Sequence, residues 1–193
     1  MRLGVFGGSF DPVHLGHLIV AEAAADLLHL DRVIFVPAGV QPFKIGLHSA
    51  SAEDRVQMLS IAIEGNGRFA LDSREIKRDG PSYSVDTIRE LHSETPEDEL
   101  FLLVGADAAW DLPRWHNSEM LADYAKLYVL TRPGFEVPEL EMISGSLEVP
   151  AINLSASHIR DAVAGGESLR YLLPPGVVEY IESKGLYGST EKC

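Results

Sequence analysis

The stretch GGSFDPVHLGH at residues 7–17 directly follows a short apolar run, RLGVF, at residues 2–6. The apolar run predicts a strand buried on both faces, and the glycines behind it predict a sharp turn whose backbone comes close to a ligand. A helix that begins near Val13 to Leu15 would place its free N–H groups at this turn, as an anion site. Pro12 fits the approach to such a helix because it has no N–H that needs a partner.

The two histidines of this stretch suggest what the anion is. His14 and His17 are three residues apart, so both lie on one face of the first helical turn. Two imidazoles beside an anion site can donate hydrogen bonds to phosphoryl oxygens and stabilise the charge that develops there. Zinc, with Asp11 as a third ligand, is the alternative, but this ligand set is incomplete and contains no cysteine. The dinucleotide-binding pattern Gly-x-Gly-x-x-Gly is not present.

Apolar runs alternate with helical patterns along the rest of the chain. Further strands are predicted at 32–37, 68–72, 100–107, 126–134 and 146–154, and helices at 15–29, 51–64, 83–94, 155–166 and 175–185. Helix starts have cap candidates in Ser51, and in Ser82 or Ser84. This order predicts an α/β fold: a Rossmann-like, doubly wound parallel sheet with helices on both faces, a C-terminal helical region and one domain over residues 1–193. Ligands bind such sheets at the carboxyl ends of strands.

Composition narrows the function classes. The chain has 193 residues, 46% of them apolar, and a formal net charge of -13. Such an acidic surface repels a nucleic-acid backbone, so a general DNA or RNA binder is not expected. The N-terminal segment is too short for a secretory signal, no apolar run could span a membrane, and Cys193 is the single cysteine. We therefore expect a cytoplasmic protein without membrane or nucleic-acid partners; the sequence leaves a homo-oligomer open.

The opening stretch resembles the signature G-x-F-x-P-x-H-x-G-H of the nucleotidyltransferase α/β-phosphodiesterase superfamily. The matching positions are Gly8, Phe10, Pro12, His14, Gly16 and His17. Members of that superfamily transfer a nucleotidyl group from a nucleoside triphosphate, and the resemblance implies that this stretch binds the triphosphate.

A second signature of that superfamily, approximately I-S-x-T-x-x-R, is similar to LSASHIR at residues 154–160. Ser155 or Ser157 can cap a helix, which leaves N–H groups free to meet phosphates. Arg160 lies one turn further on, where its guanidinium can reach β- or γ-phosphate oxygens. The alternative is an ordinary serine-capped helix that carries a surface arginine.

Blocks between the two signatures resemble one family, the bacterial nicotinate mononucleotide adenylyltransferases. They are VPAGVQPFK (36–44), DSREIKRDGPSYSVDTI (72–88), VGADAAWDLPRW (104–115), TRPG (131–134) and PPGVVEYIESKGLY (174–187). The first block departs from the family pattern, because Gln41 and Phe43 replace a proline and a histidine, although Lys44 remains. The resemblance therefore covers almost the whole chain.

The resemblance implies that ATP and nicotinate mononucleotide give deamido-NAD and pyrophosphate. The mononucleotide phosphate is already ionised, so in-line attack on the α-phosphorus needs positioning and charge stabilisation rather than a strong base. The predicted catalytic residues are His14, His17 and Arg160. Mg²⁺ is expected, bound mainly by phosphates and water. The predicted ATP-binding residues also include Gly7, Gly8, Ser9, Phe10, Gly105, Asp107, Ser155 and Ser157.

The mononucleotide needs contacts to its phosphate, ribose and pyridine ring. Lys44 and Arg132 are candidates for the phosphate, Asp107 for the ribose hydroxyls, and Trp115 for stacking on the ring. Family resemblance implies that backbone groups around Ser84 and Thr87 hold the nicotinate carboxylate; N–H donors suit a carboxylate and not an amide NH₂. The structural alternatives are that Trp115 belongs to the core and that Asp107 caps a helix. Three residues are interpreted as a structural ion-pair group outside the site: Arg74, Glu75 and Arg78.

Two other functions compete with this interpretation. The same chemistry could use the amide mononucleotide or phosphopantetheine as acceptor. Alternatively, the chain could be a non-catalytic nucleotide-binding protein, which the intact His14, His17 and Arg160 argue against.

Overall fold

The computed structural model describes residues 1–40, 50–132, 134–150 and 152–188. Lys44, Gln41 and Phe43 lie outside the described residues, so the predictions made for that loop have no structural counterpart.

Six strands form one parallel sheet: β1 (Arg2–Gly8), β2 (Arg32–Pro37), β3 (Phe69–Leu71), β4 (Glu99–Gly105), β5 (Lys126–Thr131) and β6 (Ile143–Glu148). Their order across the sheet is β3-β2-β1-β4-β5-β6. The chain first winds outward from β1 to β3, then crosses to β4 on the other side of β1. The predicted doubly wound fold is confirmed, and its strand order reverses between β1 and β4, where such sheets bind ligands.

Among the described residues, six helices lie between these strands: α1 (Leu15–Leu27), α2 (Ala52–Ile63), α3 (Arg74–Lys77), α4 (Ser84–Glu94), α5 (Ala106–Ala109) and α6 (Leu121–Tyr124). Helices α7 (Ala156–Ala164) and α8 (Pro175–Lys184) follow β6. Short 3₁₀ turns occur at Leu112–Arg114, Ser118–Met120 and Leu186–Gly188. None of the helices in the described part of the chain combines the length and apolar character needed to cross a membrane.

Two buried clusters lie on opposite faces of the sheet, as side chains that alternate along a strand require. On β4, Phe101 and Leu103 belong to the cluster that α1, α2, α7 and α8 cover. Leu100, Leu102 and Val104 belong to the cluster on the side of α4 and α6. Burying each of these large side chains contributes about 2 kcal/mol, which is why the central strands are apolar on both faces.

Several element boundaries differ from the prediction: β4 and β5 end at Gly105 and Thr131, and the short helices α3, α5 and α6 were not predicted. Two differences concern the last strand and the cap of α4. The last strand was expected at 146–154 but β6 occupies Ile143–Glu148. It is an edge strand whose residues alternate between partial burial and exposure, so it lacks the continuous apolar run that marks the central strands. The N-cap of α4 is Tyr83, without a side-chain cap hydrogen bond, and neither Ser82 nor Ser84 takes that position. Ser51 caps α2 as predicted, accepting from Asp54 N.

Candidate active site

The loop between β1 and α1 turns at Phe10, not at the glycines. Gly7 and Gly8 lie in extended β1, whereas Phe10 has a φ of +47°, an uncommon conformation for a residue with a side chain. A Cβ on Gly8 would lie 3.0 Å from the Phe10 ring. The sharp turn predicted for the glycine pair was therefore wrong. Gly8 instead leaves room for the ring of Phe10, which is fully buried.

His14 and His17 hold each other at the start of α1. His14 is the N-cap; its Nδ1 accepts from His17 N (3.3 Å), and His17 Nδ1 accepts from His14 N (3.2 Å). The two rings stack with centroids 3.7 Å apart. A Cβ on Gly16 would lie 2.9 Å from His14 Nδ1, so the residue between the histidines must be small. Because both Nδ1 atoms accept, each neutral ring carries its proton on Nε2, the atom left to donate to a ligand.

Burial keeps both histidines uncharged at neutral pH. It lowers the pKa of His14 from its ordinary value of 6.5 to about 4. Burial and then the neighbouring His14 lower the pKa of His17 well below the ordinary value. The Phe10 ring packs edge-on against His17 at 5.1 Å between centroids, which fixes the imidazole.

The start of α1 does not present the predicted row of free N–H groups. Leu15 N donates to Leu172 O at 3.0 Å, and His17 N donates to His14. These amides are satisfied within the protein because the chain before α8 packs against the helix start. Two of the first three amides of α1 are therefore not free for an anion, which increases the importance of the imidazole Nε2 atoms as donors.

The second signature meets the first through Arg160. Ser155 is the N-cap of α7 and accepts from His158 N at 3.2 Å, which resolves the choice of cap residue. Ser157 does not cap; its hydroxyl accepts from Arg160 Nη2 at 3.1 Å. Arg160 Nη1 donates to the Asp11 carbonyl at 2.7 Å. The structure thus brings Arg160 into contact with the loop between β1 and α1.

Asp11 does not complete a zinc site with the histidines. Its carboxylate is buried, and Oδ1 accepts from Ala50 N (3.2 Å) and from the Tyr187 hydroxyl (2.7 Å). Within the described ranges, no group of three or more His, Cys, Asp or Glu side chains could hold a metal ion. The carboxylate instead binds the loop to Ala50 and to Tyr187.

A cleft of about 680 Å³ opens at the carboxyl ends of β1 and β4, where the strand order reverses. Seven of the predicted site residues line it: Gly7, Gly8, Ser9, Ser84, Gly105, Asp107 and Trp115. The cleft extends from the first loop to the start of α4 and the turn that follows α5. This volume suits a small organic ligand.

The structure decides whether Asp107 caps a helix and whether Trp115 belongs only to the core. Gly105, not Asp107, is the N-cap of α5, and Asp107 is exposed in the first turn facing the cleft. Trp115 is half-buried: part of it packs on the apolar cluster beside α4 and α6, and it also lines the cleft. Both side chains are therefore available to a ligand.

Thr87 is not in the wall of the cleft. It is buried; its hydroxyl donates to Glu75 Oε1 at 2.7 Å and its backbone N donates to Tyr83 O within α4. The hydroxyl and the amide of Thr87 thus already have partners within the protein, and binding of a carboxylate by the backbone groups around Thr87 stays a prediction. Ser84, the first residue of α4, does line the cleft.

Arg132 follows β5 at the same edge of the sheet, but it is not among the residues that line the cleft. Its guanidinium lies over the Phe135 ring, 4.2 Å from the centroid. A contact of Arg132 with the mononucleotide phosphate therefore stays a prediction.

In the predicted ion-pair group, the two arginines form structural ion pairs. Arg74 pairs with Asp72 (2.7 Å) and Glu94 (2.8 Å), and Arg78 pairs with Glu90 (2.7 Å). These contacts hold α3 against α4 and keep both arginines out of the cleft lining.

Comparison with known proteins identifies the family of this chain. Residues 5–162 match the model of the cytidylyltransferase-like family. A protein of Thermus thermophilus named "Probable nicotinate-nucleotide adenylyltransferase" is 45% identical over 187 residues, which cover 97% of this chain and 100% of that protein. One of the same name from Geobacillus thermodenitrificans is 42% identical over 192 residues, covering 97% and 87%. The chain belongs to the nicotinate-nucleotide adenylyltransferase family.

Solved structures agree on the fold of this adenylyltransferase. The Plasmodium falciparum nicotinic acid mononucleotide adenylyltransferase complexed with NaAD superposes with a TM-score of 0.80 at 18% identity, over 99% of each chain. The same enzyme complexed with APC gives a TM-score of 0.78. Similarity at this identity establishes a shared fold.

The sequence did not single out three groups of this adenylyltransferase site. Tyr83 and His116 both line the cleft and stack with centroids 4.3 Å apart. Glu75, set aside with the ion pairs, also lines it. The positions of Tyr83 and His116 beside Ser84 and Trp115 are the signal that could have found them.

Arg55 binds the loop between β1 and α1. It is fully buried on α2, and its Nη1 donates to Ser9 O at 2.8 Å. Burial lowers the pKa of its guanidinium, although Asp11 opposes this shift. Met58 and Leu59, which are buried, follow Arg55 by three and four residues, so all three lie on one face of α2. A charged residue on this apolar face is the sequence signal that could have identified Arg55.

Proposed function

We propose that the chain transfers the adenylyl group of ATP to nicotinate mononucleotide and so forms deamido-NAD and pyrophosphate, a step in NAD biosynthesis. The observation that carries the proposal is the 2.7 Å hydrogen bond from Arg160 Nη1 to Asp11 O. It joins the two nucleotidyltransferase signatures in one loop. Ser9 of this loop lines the cleft, whereas His14, His17 and Arg160 are not among the lining residues. The names of the relatives that match over nearly the whole chain support the same reaction.

The proposed reaction forms and breaks one bond at the α-phosphorus. An oxygen of the mononucleotide phosphate bonds to it, and the bond from the α-phosphorus to the bridging oxygen breaks, so that pyrophosphate leaves with the electron pair. The nucleophile is already an anion, so the protein needs no covalent intermediate. Its contribution is alignment and stabilisation of the charge on the triphosphate.

His14, His17 and Arg160 are assigned to the triphosphate. The neutral imidazoles donate from Nε2, in an orientation that their mutual hydrogen bonds fix before ATP binds. Arg160 adds a permanent positive charge that satisfies phosphate oxygens. Donors held in place in this way need no rearrangement when charge shifts toward the leaving pyrophosphate.

Mg²⁺ fits this site as a companion of the nucleotide. The described residues offer no cluster of three or more metal-ligating side chains, which favours coordination by ATP phosphates and water. When bound, the ion neutralises part of the triphosphate charge.

The opposite side of the cleft is assigned to the mononucleotide. Trp115 offers an aromatic face to the pyridine ring and Asp107 offers oxygens to the ribose hydroxyls. The first N–H groups of α4, at Ser84, lie where the helix dipole favours an anionic carboxylate. This arrangement supports a preference for the acid over the amide.

Pyrophosphate release with ATP and Mg²⁺ tests the proposal. The acceptors to compare are nicotinate mononucleotide, the amide mononucleotide and phosphopantetheine. We expect the highest kcat/KM with nicotinate mononucleotide. A preference for phosphopantetheine would overturn the substrate assignment, and ATP binding without turnover of any acceptor would indicate a nucleotide-binding protein.

A further inference from the structure

The C-terminal turn returns to the loop at the other end of the chain. After α8, Gly185 has a φ of +62° and Tyr187 a φ of +58°, so both residues adopt the left-handed conformation. Such a conformation is uncommon for tyrosine and persists where contacts of the side chain hold it. The turn Leu186–Gly188 packs against α7, the helix that carries Arg160.

The Tyr187 hydroxyl reaches the first loop. It donates to Asp11 Oδ1 at 2.7 Å across 176 positions of sequence. The accepting carboxylate is 2% exposed, and the same oxygen also accepts from Ala50 N at 3.2 Å. A hydrogen bond to a buried carboxylate is strong, and the carboxylate needs its donors because it has lost water.

Asp11 is therefore held from two sides. Its side chain is bound by the C-terminal turn, and its carbonyl is bound by Arg160 Nη1 at 2.7 Å. Tyr187 lies against both partners, since its turn packs on α7 and its hydroxyl contacts the loop. The turn that carries Tyr187 thus links the loop that carries the histidines to the helix that carries the arginine.

We propose that Tyr187 is a positioning residue of the ATP site, which sets the placement of the loop and Arg160 through its hydrogen bond to Asp11. This role rests on the proposed function, because it assigns the loop and Arg160 to ATP. Burial, and next the hydrogen bond to Asp11, raise the pKa of Tyr187 above its ordinary value, so the hydroxyl remains a donor throughout the neutral and mildly alkaline range.

Tyr187→Phe tests the role because it removes the hydroxyl and keeps the ring. ATP is not consumed without an acceptor, so its Kd with Mg²⁺ is measured directly by calorimetry on the full chain. We expect the Kd and the KM of ATP to rise about tenfold, because a loop that Tyr187 no longer fixes must be ordered when ATP binds. The KM of nicotinate mononucleotide should stay within about twofold, because Tyr187 is not among the described residues that line the cleft and its hydroxyl binds Asp11.

Tyr180→Phe is the matched control. The Tyr180 hydroxyl also donates to a carboxylate from the C-terminal region, Asp54 Oδ1 at 2.8 Å, but it does not contact the loop. We expect this variant to keep the Kd of ATP, with any loss confined to thermal stability. The Asp11→Asn variant and the double variant complete the test: if the two residues act through one bond, the double variant loses no more ATP affinity than the weaker-binding single variant.

Three outcomes would overturn the proposal: an unchanged Kd of ATP in Tyr187→Phe, equal weakening of both substrates, or the same loss in Tyr180→Phe. The proposed function can fail separately. If the wild-type chain adenylylates none of the acceptors and Tyr187→Phe still loses ATP affinity about tenfold, the positioning role stands and the substrate assignment falls.

Discussion

The two ends of the candidate site are built differently. At the phosphate end, His14, His17 and Arg160 are hydrogen-bonded to one another's segments, and His14 is only 6% exposed. At the mononucleotide end, Asp107 and Trp115 come from short separate elements around an open cleft. Charge stabilisation in a transition state requires donors that are fixed beforehand, whereas recognition of a ring and a ribose can be divided among independent contacts. The difference predicts large effects on kcat at one end and modest effects on KM at the other.

The largest effect is expected for His17→Ala. Loss of a fixed donor to the triphosphate should lower kcat for pyrophosphate release about 10²- to 10³-fold with both substrates saturating. His92→Ala is the control, because His92 lies in the last turn of α4, about two turns from the cleft residue Ser84. A His17→Ala enzyme that retains a third of the wild-type kcat would remove the imidazoles from the catalytic assignment.

The next effect concerns stability against pH and the replacement of His14. Its pKa is about 4 in the folded protein and 6.5 when unfolded, so the unfolded chain binds the extra proton first as the pH falls. The stability associated with a neutral His14 is complete above pH 6.5 and is lost progressively toward pH 4. Asparagine in place of His14 still caps a helix but does not titrate.

Urea unfolding of wild type and His14→Asn between pH 7 and pH 4 measures this loss. The wild type should lose on the order of 3 kcal/mol more than the variant over that range, the size that corresponds to this pKa shift. Parallel stability curves would mean that His14 is not desolvated at the phosphate end.

The sequence predicted the parts of the molecule that local pattern determines. Apolar runs followed by glycine or helical periodicity predicted β1, β2, β4 and β5, since a strand buried on both faces must be continuously apolar. The same pattern placed the loops behind those strands at one edge of the sheet. The position of edge strand β6 was missed because its residues alternate between partial burial and exposure, so it has no continuous apolar run.

What sequence reasoning missed depends on distant or reciprocal contacts. The hydrogen bond from Tyr187 to Asp11 spans 176 positions, and no local spacing encodes it. Thr87 looked available near Ser84, yet it faces Glu75 beneath the cleft because α4 turns that side inward. The sequence did not predict that the histidines cap each other. Each ring accepts a hydrogen bond from the backbone N–H of the other histidine, and the spacing of the two residues does not specify this exchange.

Trp115→Ala tests the mononucleotide end with a smaller effect. Removing a ring that stacks on the pyridine should raise the KM of nicotinate mononucleotide about tenfold and leave the KM of ATP unchanged. Trp110→Ala is the matched control, because Trp110 is 57% exposed and is not among the residues that line this cleft. Equal effects of the two substitutions would indicate that Trp115 acts only through packing.

The smallest effect is expected for Glu75→Gln, in the wall of the mononucleotide end. Burial raises the pKa of Glu75, so its charged form destabilises the fold above the ordinary pKa of a glutamate. Glutamine keeps an oxygen that accepts from Thr87 and removes the charge. The variant should therefore be more stable than wild type at pH 8, with a gain that disappears as the pH falls below about 4.

The same variant also checks which substrate lies beside Glu75. Removing a negative charge from the cleft wall should lower the KM of the anionic mononucleotide about twofold and leave the KM of ATP unchanged. Glu94→Gln serves as control, because its exposed carboxylate pairs with Arg74 outside the cleft. A change confined to the KM of ATP would place the triphosphate beside Glu75 and reverse the assignment of the two ends, since each end would then bind the other substrate.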